Sequence, residues 1–360
     1  MRGLICSTLV VLFVLSNKAQ SFACPGFNQQ EPLQVLYFTP ESDDHSFWGM
    51  QRRYAKAVAD NLNIDLEIIS INEDQHNRFG FIDLVDSHLN RRQKTDLVLG
   101  IFYLNGEQAF LDFLDKKRVS FFSVNASLST KNLNKIGFPR EKYPYWIGHI
   151  APNDEAAGFA LAKSLYELKK QSAFMLAIAG QNQSTVSFNR ETGLRTAQKQ
   201  FPFELLPPIH TNWGSDAARS TTKTVLRRFP EINLIWAVGS HTAEGVVQHF
   251  ANTPGGRSKV KIGAFDWSPN VLEMLISGQI DVSYGGHFRE AGLALILAYD
   301  YFSGMDFEKD TSAYIEVELK AATKNNAAAI LSSINQNWQD IDFKKQSKCH
   351  SPELGKYRLL

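Results

Sequence analysis

Cysteine is scarce, with three in 360 residues. That excludes a disulfide-dense scaffold and a cysteine-rich metal module. An excess of charge is missing too. Lysine and arginine number 38 against 37 acids, for a net charge of +1. No basic stripe is present, so nucleic acid is not an expected partner. Past the N-terminal segment no apolar run is long enough for a membrane helix. Catalytic signatures are also lacking. There is no Gly-x-Ser-x-Gly elbow and no His-Glu-x-x-His helix, and GSHTAEG lacks the lysine of a phosphate loop. Asp43 and Asp44 are adjacent in a loop and need not face one site. No enzymatic activity, cofactor or metal is expected. A metal or pH-sensitive site would need His45, His241 and His287 to converge.

What is there begins with a targeting pattern. Arg2 precedes an apolar run, Leu4 to Leu15, too short to cross a bilayer. Ser21-Phe22-Ala23 then places small residues where a signal peptidase reads them. Residues 1–23 are therefore expected to be a removable export signal. Cys6 leaves with it, and Cys24 and Cys349 remain. In an oxidising compartment these two invite one disulfide joining the ends of the chain. The rival fate is a lipid anchor on Cys24, directly after the cleavage site. Ser21 is not the Leu-like residue such signals carry.

The chain is longer than one ordinary core, which predicts two domains. Hydrophobic residues at 44% and charged residues at 21% mark a globular protein. Apolar strand runs alternate with amphipathic helical stretches. LQVLYF, DLVLGIF and VSFFSV read as strands of a first set, with helices near Gly49–Asn61, Phe79–Asn90 and Glu107–Lys117. The order then restarts. AFMLAIA, NLIWAV and KVKIGAF read as strands of a second set, with helices across Glu155–Leu168, Asn189–Gln200 and Ala217–Phe229. Such βαβ runs predict parallel sheets with helices on both faces. The fold class is α/β, with two doubly wound parallel-sheet lobes. The tail from Asn335 is polar and less regular.

The first strand-to-helix loop holds Asp43, His45, Phe47 and Trp48. In open parallel sheets ligands bind outside the carboxyl ends of the strands. Acids, an imidazole and two large aromatics suit a polar ligand with a flat apolar face.

Four segments then carry a resemblance: HSFWGMQRRYAKAVADNL, IGHIAPNDEAAGFALAKSL, FPEINLIWAVGSHTAEGVVQHF and KIGAFDWSPNVLEMLISGQIDVSYGGHFREAG. Their order resembles the type I periplasmic solute-binding proteins, the ribose and galactose binders and their relatives, from Leu33 to Asn326. The resemblance implies lobes joined by a three-segment hinge, with ligand trapped by closure. It places residues 31–152 plus 288–313 in the first lobe and 153–287 plus 314–360 in the second. It also implies a periplasmic, monomeric protein that hands a sugar-like solute to the membrane permease of an ABC transporter.

One branch of that family, the autoinducer-2 receptors that act with a membrane sensor kinase, is similar in the cleft. Trp48, Asn125, Arg190 and Ser240 fall where those receptors carry a ligand-facing Trp, Asn, Arg and Thr. Asp43 and His45 occupy their polar loop positions. Their second cleft Trp is Phe265 here, and their second Arg is Gly286, beside His287. Two arginines offset the charge of a borate diester, so losing one argues against that ligand. Compared with the ribose binders, Asp266 fits the carboxylate of "GFD", Trp213 an aromatic and Asn125 an aspartate.

The residue chemistry stands without the resemblance. Trp48, Phe47 and Trp213 supply area for the C–H faces of a sugar. Asn125, Arg190 and Asp266 can each make two hydrogen bonds in a plane, which suits vicinal hydroxyls. Plainer roles compete. Asn125 can serve a turn, Asp266 can cap the next helix, Ser240 can simply start one, and Arg190 can sit in a salt bridge. A regulator's sensor domain is disfavoured by the export signal and the absence of DNA-binding helices.

Overall fold

The computed structural model describes Cys24 and residues 31–44, 46–251 and 259–357. The expected export signal and His45 lie outside the described residues.

The first lobe is built on β1 (Leu33–Thr39), β2 (Ile64–Ser70), β3 (Leu97–Gly100), β4 (Ser120–Val124) and β5 (Trp146–Pro152). Its helices are α1 (Phe47–Leu62), α2 (Arg78–Arg91), α3 (Glu107–Lys117) and the short α4 (Thr130–Ile136). The strands read as nearly unbroken apolar runs because helices cover both faces. Six of the seven residues of β1 are buried. Ser46 caps α1, its hydroxyl accepting from the Gly49 N–H at 3.1 Å, and Asn63 ends it in the left-handed region at φ 55°.

The second lobe repeats the plan. Its helices are α5 (Asp154–Lys169), α6 (Thr185–Gln200), α7 (Ser215–Arg228), α8 (Ser240–Ala251) and α9 (Pro269–Ile276). Its strands are β6 (Phe174–Ala179), β7 (Glu204–Leu205), β8 (Ile209–His210), β9 (Leu234–Ala237), β10 (Lys261–Phe265) and β11 (Val282–Gly285). The chain then returns to the first lobe with α10 (Glu290–Phe302), which packs on α1. It continues with β12 (Tyr314–Val317), β13 (Lys320–Ala322) and α11 (Ala327–Ile334).

The first sheet has the order β12-β5-β4-β3-β1-β2, and all its pairings are parallel. The second runs β13-β11-β10-β9-β6-β7, with β8 also on β6, and only β13 is antiparallel. These are the two doubly wound α/β lobes the sequence pattern predicts.

The lobe boundary differs from expectation after Tyr314. β12 pairs in parallel with β5, so it is an edge strand of the first sheet and the switch comes between residues 317 and 320. Three segments cross between lobes, at residues 152–154, 285–290 and 317–320. The tail adds a fourth. α11 packs on α9 in the second lobe, whereas Trp338 and Phe343 pack edge-on against Tyr54 of α1. Residues after 338 therefore belong with the first lobe, not the second. Cys24 is bonded to Cys349, Cα atoms 5.2 Å apart, so the disulfide and not the lipid anchor takes its sulfur.

Candidate functional site

The loops after β1 to β4 in one lobe and after β6 and β8 to β11 in the other surround a cavity of about 1080 Å³. The structure brings Phe47, Trp48, Asn125, Arg190, Trp213, Ser240, Asp266 and His287 to its wall. Asp43 is not on that wall. Its carbonyl accepts from the Ser46 hydroxyl at 2.8 Å and from Arg52 Nη2 at 2.9 Å.

Arg190 reaches the cleft because α5 and α6 pack backbone to backbone. A Cβ on Gly158 would lie 2.0 Å from the Arg190 carbonyl oxygen, and one on Gly193 would lie 2.0 Å from that of Glu155. Only glycine permits this approach. It sets Arg190 Nε to donate to Asp154 Oδ1 at 2.8 Å, while Nη1 donates to the Val238 carbonyl at 2.7 Å. The guanidinium carbon lies 4.2 Å from the Phe265 ring centroid. Phe265 is fully buried and absent from the cavity wall. The aromatic expected in the cleft here is a platform beneath the arginine.

Asp266 adopts φ 76°, which turns its side chain back across the strand ends. Its Oδ2 accepts from the Ser240 N–H at 3.1 Å, and its Oδ1 stands 3.6 Å from His287 Nε2. It does not cap α9; Ser268 does. Asn125 also has a left-handed backbone, φ 65°, and its amide donates to Glu290 Oε2 at 3.5 Å. The His287 ring packs 4.4 Å from Phe47.

Burial sets the charges. It raises Asp154 to about 6 against the pull of Arg190. It also raises Asp266 and lifts Glu290 well above the usual carboxylate range. Burial holds His287 well below the usual imidazole range, so this ring is neutral at pH 7. Two buried atoms of wall residues, Thr185 Oγ1 and His287 Nδ1, have no protein partner.

Trp213, at φ 69°, lies flat over Gly180, where a Cβ would come 2.2 Å from its ring. Trp48 is half-buried, edge-on to Phe47 at 5.3 Å. His241 bonds Glu244 at 3.1 Å and stands 3.9 Å from Glu41 of the other lobe. The Glu244 bond raises it to about 9. Among the described residues no group of three His, Cys, Asp or Glu could hold a metal ion.

Among the charged residues that order the site, sequence reasoning missed Asp154, Glu290 and Arg52. Asp154 reads locally as an acid in the first turn of α5, and its partner lies 36 positions on. Glu290 reads the same way in α10. Arg52 gathers the loop after β1, donating to the carbonyls of Glu41, Ser42 and Asp43 and to the Asp44 carboxylate. Its spacing four residues after Trp48 is the one available signal.

Two α/β lobes, short crossings and a shared cleft with ring faces and forked polar groups define a hinge-type ligand-binding protein. The chain belongs to the periplasmic binding protein family, since the family model described as "Periplasmic binding protein domain" matches residues 36–304. The sequence matches none of the curated proteins. Similar solved structures include a periplasmic sugar-binding protein from Pseudomonas fluorescens. It is 23% identical at a TM-score of 0.77, over 90% of this chain and 97% of that one. An ABC transporter periplasmic solute-binding protein from Actinobacillus succinogenes, with bound D-allose, is 17% identical at 0.71, over 83% and 100%. The fructose-binding periplasmic domain of a hybrid two-component system is 16% identical at 0.71, over 84% and 94%. At these identities the likeness shows the fold alone.

Proposed function

We propose that this protein is exported to the periplasm, captures a sugar or sugar-like solute in its interlobe cleft, and presents it to an ABC transporter. The observation that carries this is the meeting of Phe47, Trp48 and Asn125 from one lobe with Arg190, Trp213, Ser240 and Asp266 from the other. Ring faces suit C–H faces, and planar polar groups suit vicinal hydroxyls. A ligand touching both lobes favours the closed form, which a membrane partner reads. The test is thermal unfolding of the purified protein against a library of sugars and polyols. A ligand at a hundred times its Kd adds about 2.7 kcal/mol and raises Tm by several degrees. A folded protein that no carbohydrate stabilises would overturn the reading.

A second fate for the same closure is signalling through a membrane sensor kinase. The cleft set Trp48, Asn125, Arg190 and Ser240 favours it, and a fructose-binding domain of a two-component system shares the fold. Neighbouring genes for a permease and ATPase select transport, and a neighbouring sensor kinase selects signalling.

A further inference from the structure

We infer that the cleft has an outer subsite and takes a ligand of two linked sugar units, a disaccharide; this rests on the sugar-binding reading above. The cavity, at about 1080 Å³, stands at the top of the roughly 300–1,000 Å³ range of small-molecule sites. Its two ends differ in burial. The inner end is walled by Phe47, Asn125, Arg190, Asp266 and His287, none more than 8% exposed. Asn125 follows β4 and Asp266 follows β10. The outer end is walled by Asn72, His76 and Tyr103 from one lobe and Gln181, Asn182 and Asn212 from the other, all half-buried or exposed.

The sheet orders separate the extremes of the two sets. From β4 to the edge strand β2 the first sheet steps through β3 and β1, and from β10 to β8 the second steps through β9 and β6. Three strand spacings, about 14 Å, part Asn125 from Asn72 and His76 and part Asp266 from Asn212, well beyond one sugar ring; Tyr103 after β3 and Gln181 and Asn182 after β6 stand between. Trp213 lies over Gly180 after β6 and Gly239 after β9, between the two ends, where it can floor a linkage. The outer wall is chemically a sugar wall. It offers neutral amides, each a donor and an acceptor, and the Tyr103 ring, whose hydroxyl bonds His76 Nδ1 at 3.3 Å. Arg190, a cation on the inner wall, is already tied to Asp154, and His241, charged and also on the cavity wall, is tied to Glu244. Both ends therefore suit an uncharged guest.

Isothermal titration of the full chain tests this with common hexoses and pentoses and with disaccharides built from them. The expected result is a disaccharide that binds at least tenfold tighter than either of its components. Asn182→Trp, at an exposed position, fills the outer end and should collapse that ratio toward one, with a thermal melt reporting that the variant folds. If monosaccharides bind and no disaccharide gains, or if the gain survives Asn182→Trp, the outer subsite falls and the sugar-binding reading stands. If no carbohydrate of either size binds, both fall.

Discussion

Burial lifts the Asp154 carboxyl to about 6 while Arg190, 2.8 Å away, pulls it down. Its folded pKa is thus raised above the unfolded value of about 3.9. Between those values the folded state holds the proton that the unfolded state releases, so stability falls as pH rises from about 4 to about 6 and then levels. The loss is on the order of 3 kcal/mol at most. Replacing Asp154 by Asn removes the titration. Relative to wild type, Asp154→Asn should gain stability across that pH window, as read by urea unfolding. A variant that instead loses stability as pH rises would show that the Arg190 pair outweighs burial. A salt bridge was one role open to Arg190 from sequence, and the structure gives it that bond together with a place on the cleft wall.

Helix α10 is apolar almost throughout, and its one buried acid past the first turn, Asp300, organises the tail. The Asp300 carboxylate accepts from the Ser347 hydroxyl at 2.5 Å, the Lys348 N–H at 2.7 Å and the Tyr357 hydroxyl at 2.8 Å. Removing it leaves buried donors unpaired, each costing about 1–3 kcal/mol. Asp300→Ala should therefore lower stability by at least about 2 kcal/mol and open residues 351–357 to limited proteolysis. The wild-type tail should stay protected after reduction of the Cys24–Cys349 bond. Cleavage of the reduced wild-type tail would place the hold in the disulfide instead. This element could not be read from sequence. A polar stretch without periodicity gives no local sign that a single buried carboxylate will collect it.

The lobes meet across the cleft at Glu41 and His241, 3.9 Å apart. His241 is raised to about 9, first by its bond to Glu244, so it carries charge at neutral pH. A raised base contributes below its folded pKa and loses its contribution as pH rises through about 9. Both partners are about a third exposed, so solvent keeps the pair weak. Glu41→Gln should weaken ligand binding by no more than about fivefold at pH 7. The difference from wild type should vanish above pH 10, as measured by titration calorimetry. A difference that persists there would assign the Glu41 effect to contact with ligand, not to lobe closure. The fourth crossing belongs to this level as well. Residues 334–338 join α11 on the second lobe to the tail on the first, a tether that a three-segment hinge does not include.

Periodicity alone determined the two α/β lobes. Strands covered on both faces must be apolar throughout, and helices against them must carry one apolar stripe, so LQVLYF and AFMLAIA announce themselves. The position of Phe47, Trp48, Asn125 and Asp266 just past strand ends followed from the same rule. Short elements such as β8 and β13 escaped, because two or three residues carry no period. Lobe membership after Tyr314 escaped too, since strand pairing is a contact between residues 165 positions apart, Tyr314 with His149. Which charges pair, which are neutral and where Arg190 points were settled only by packing. Those outcomes depend on burial and on backbone approach at Gly158 and Gly193, which no local sequence pattern encodes.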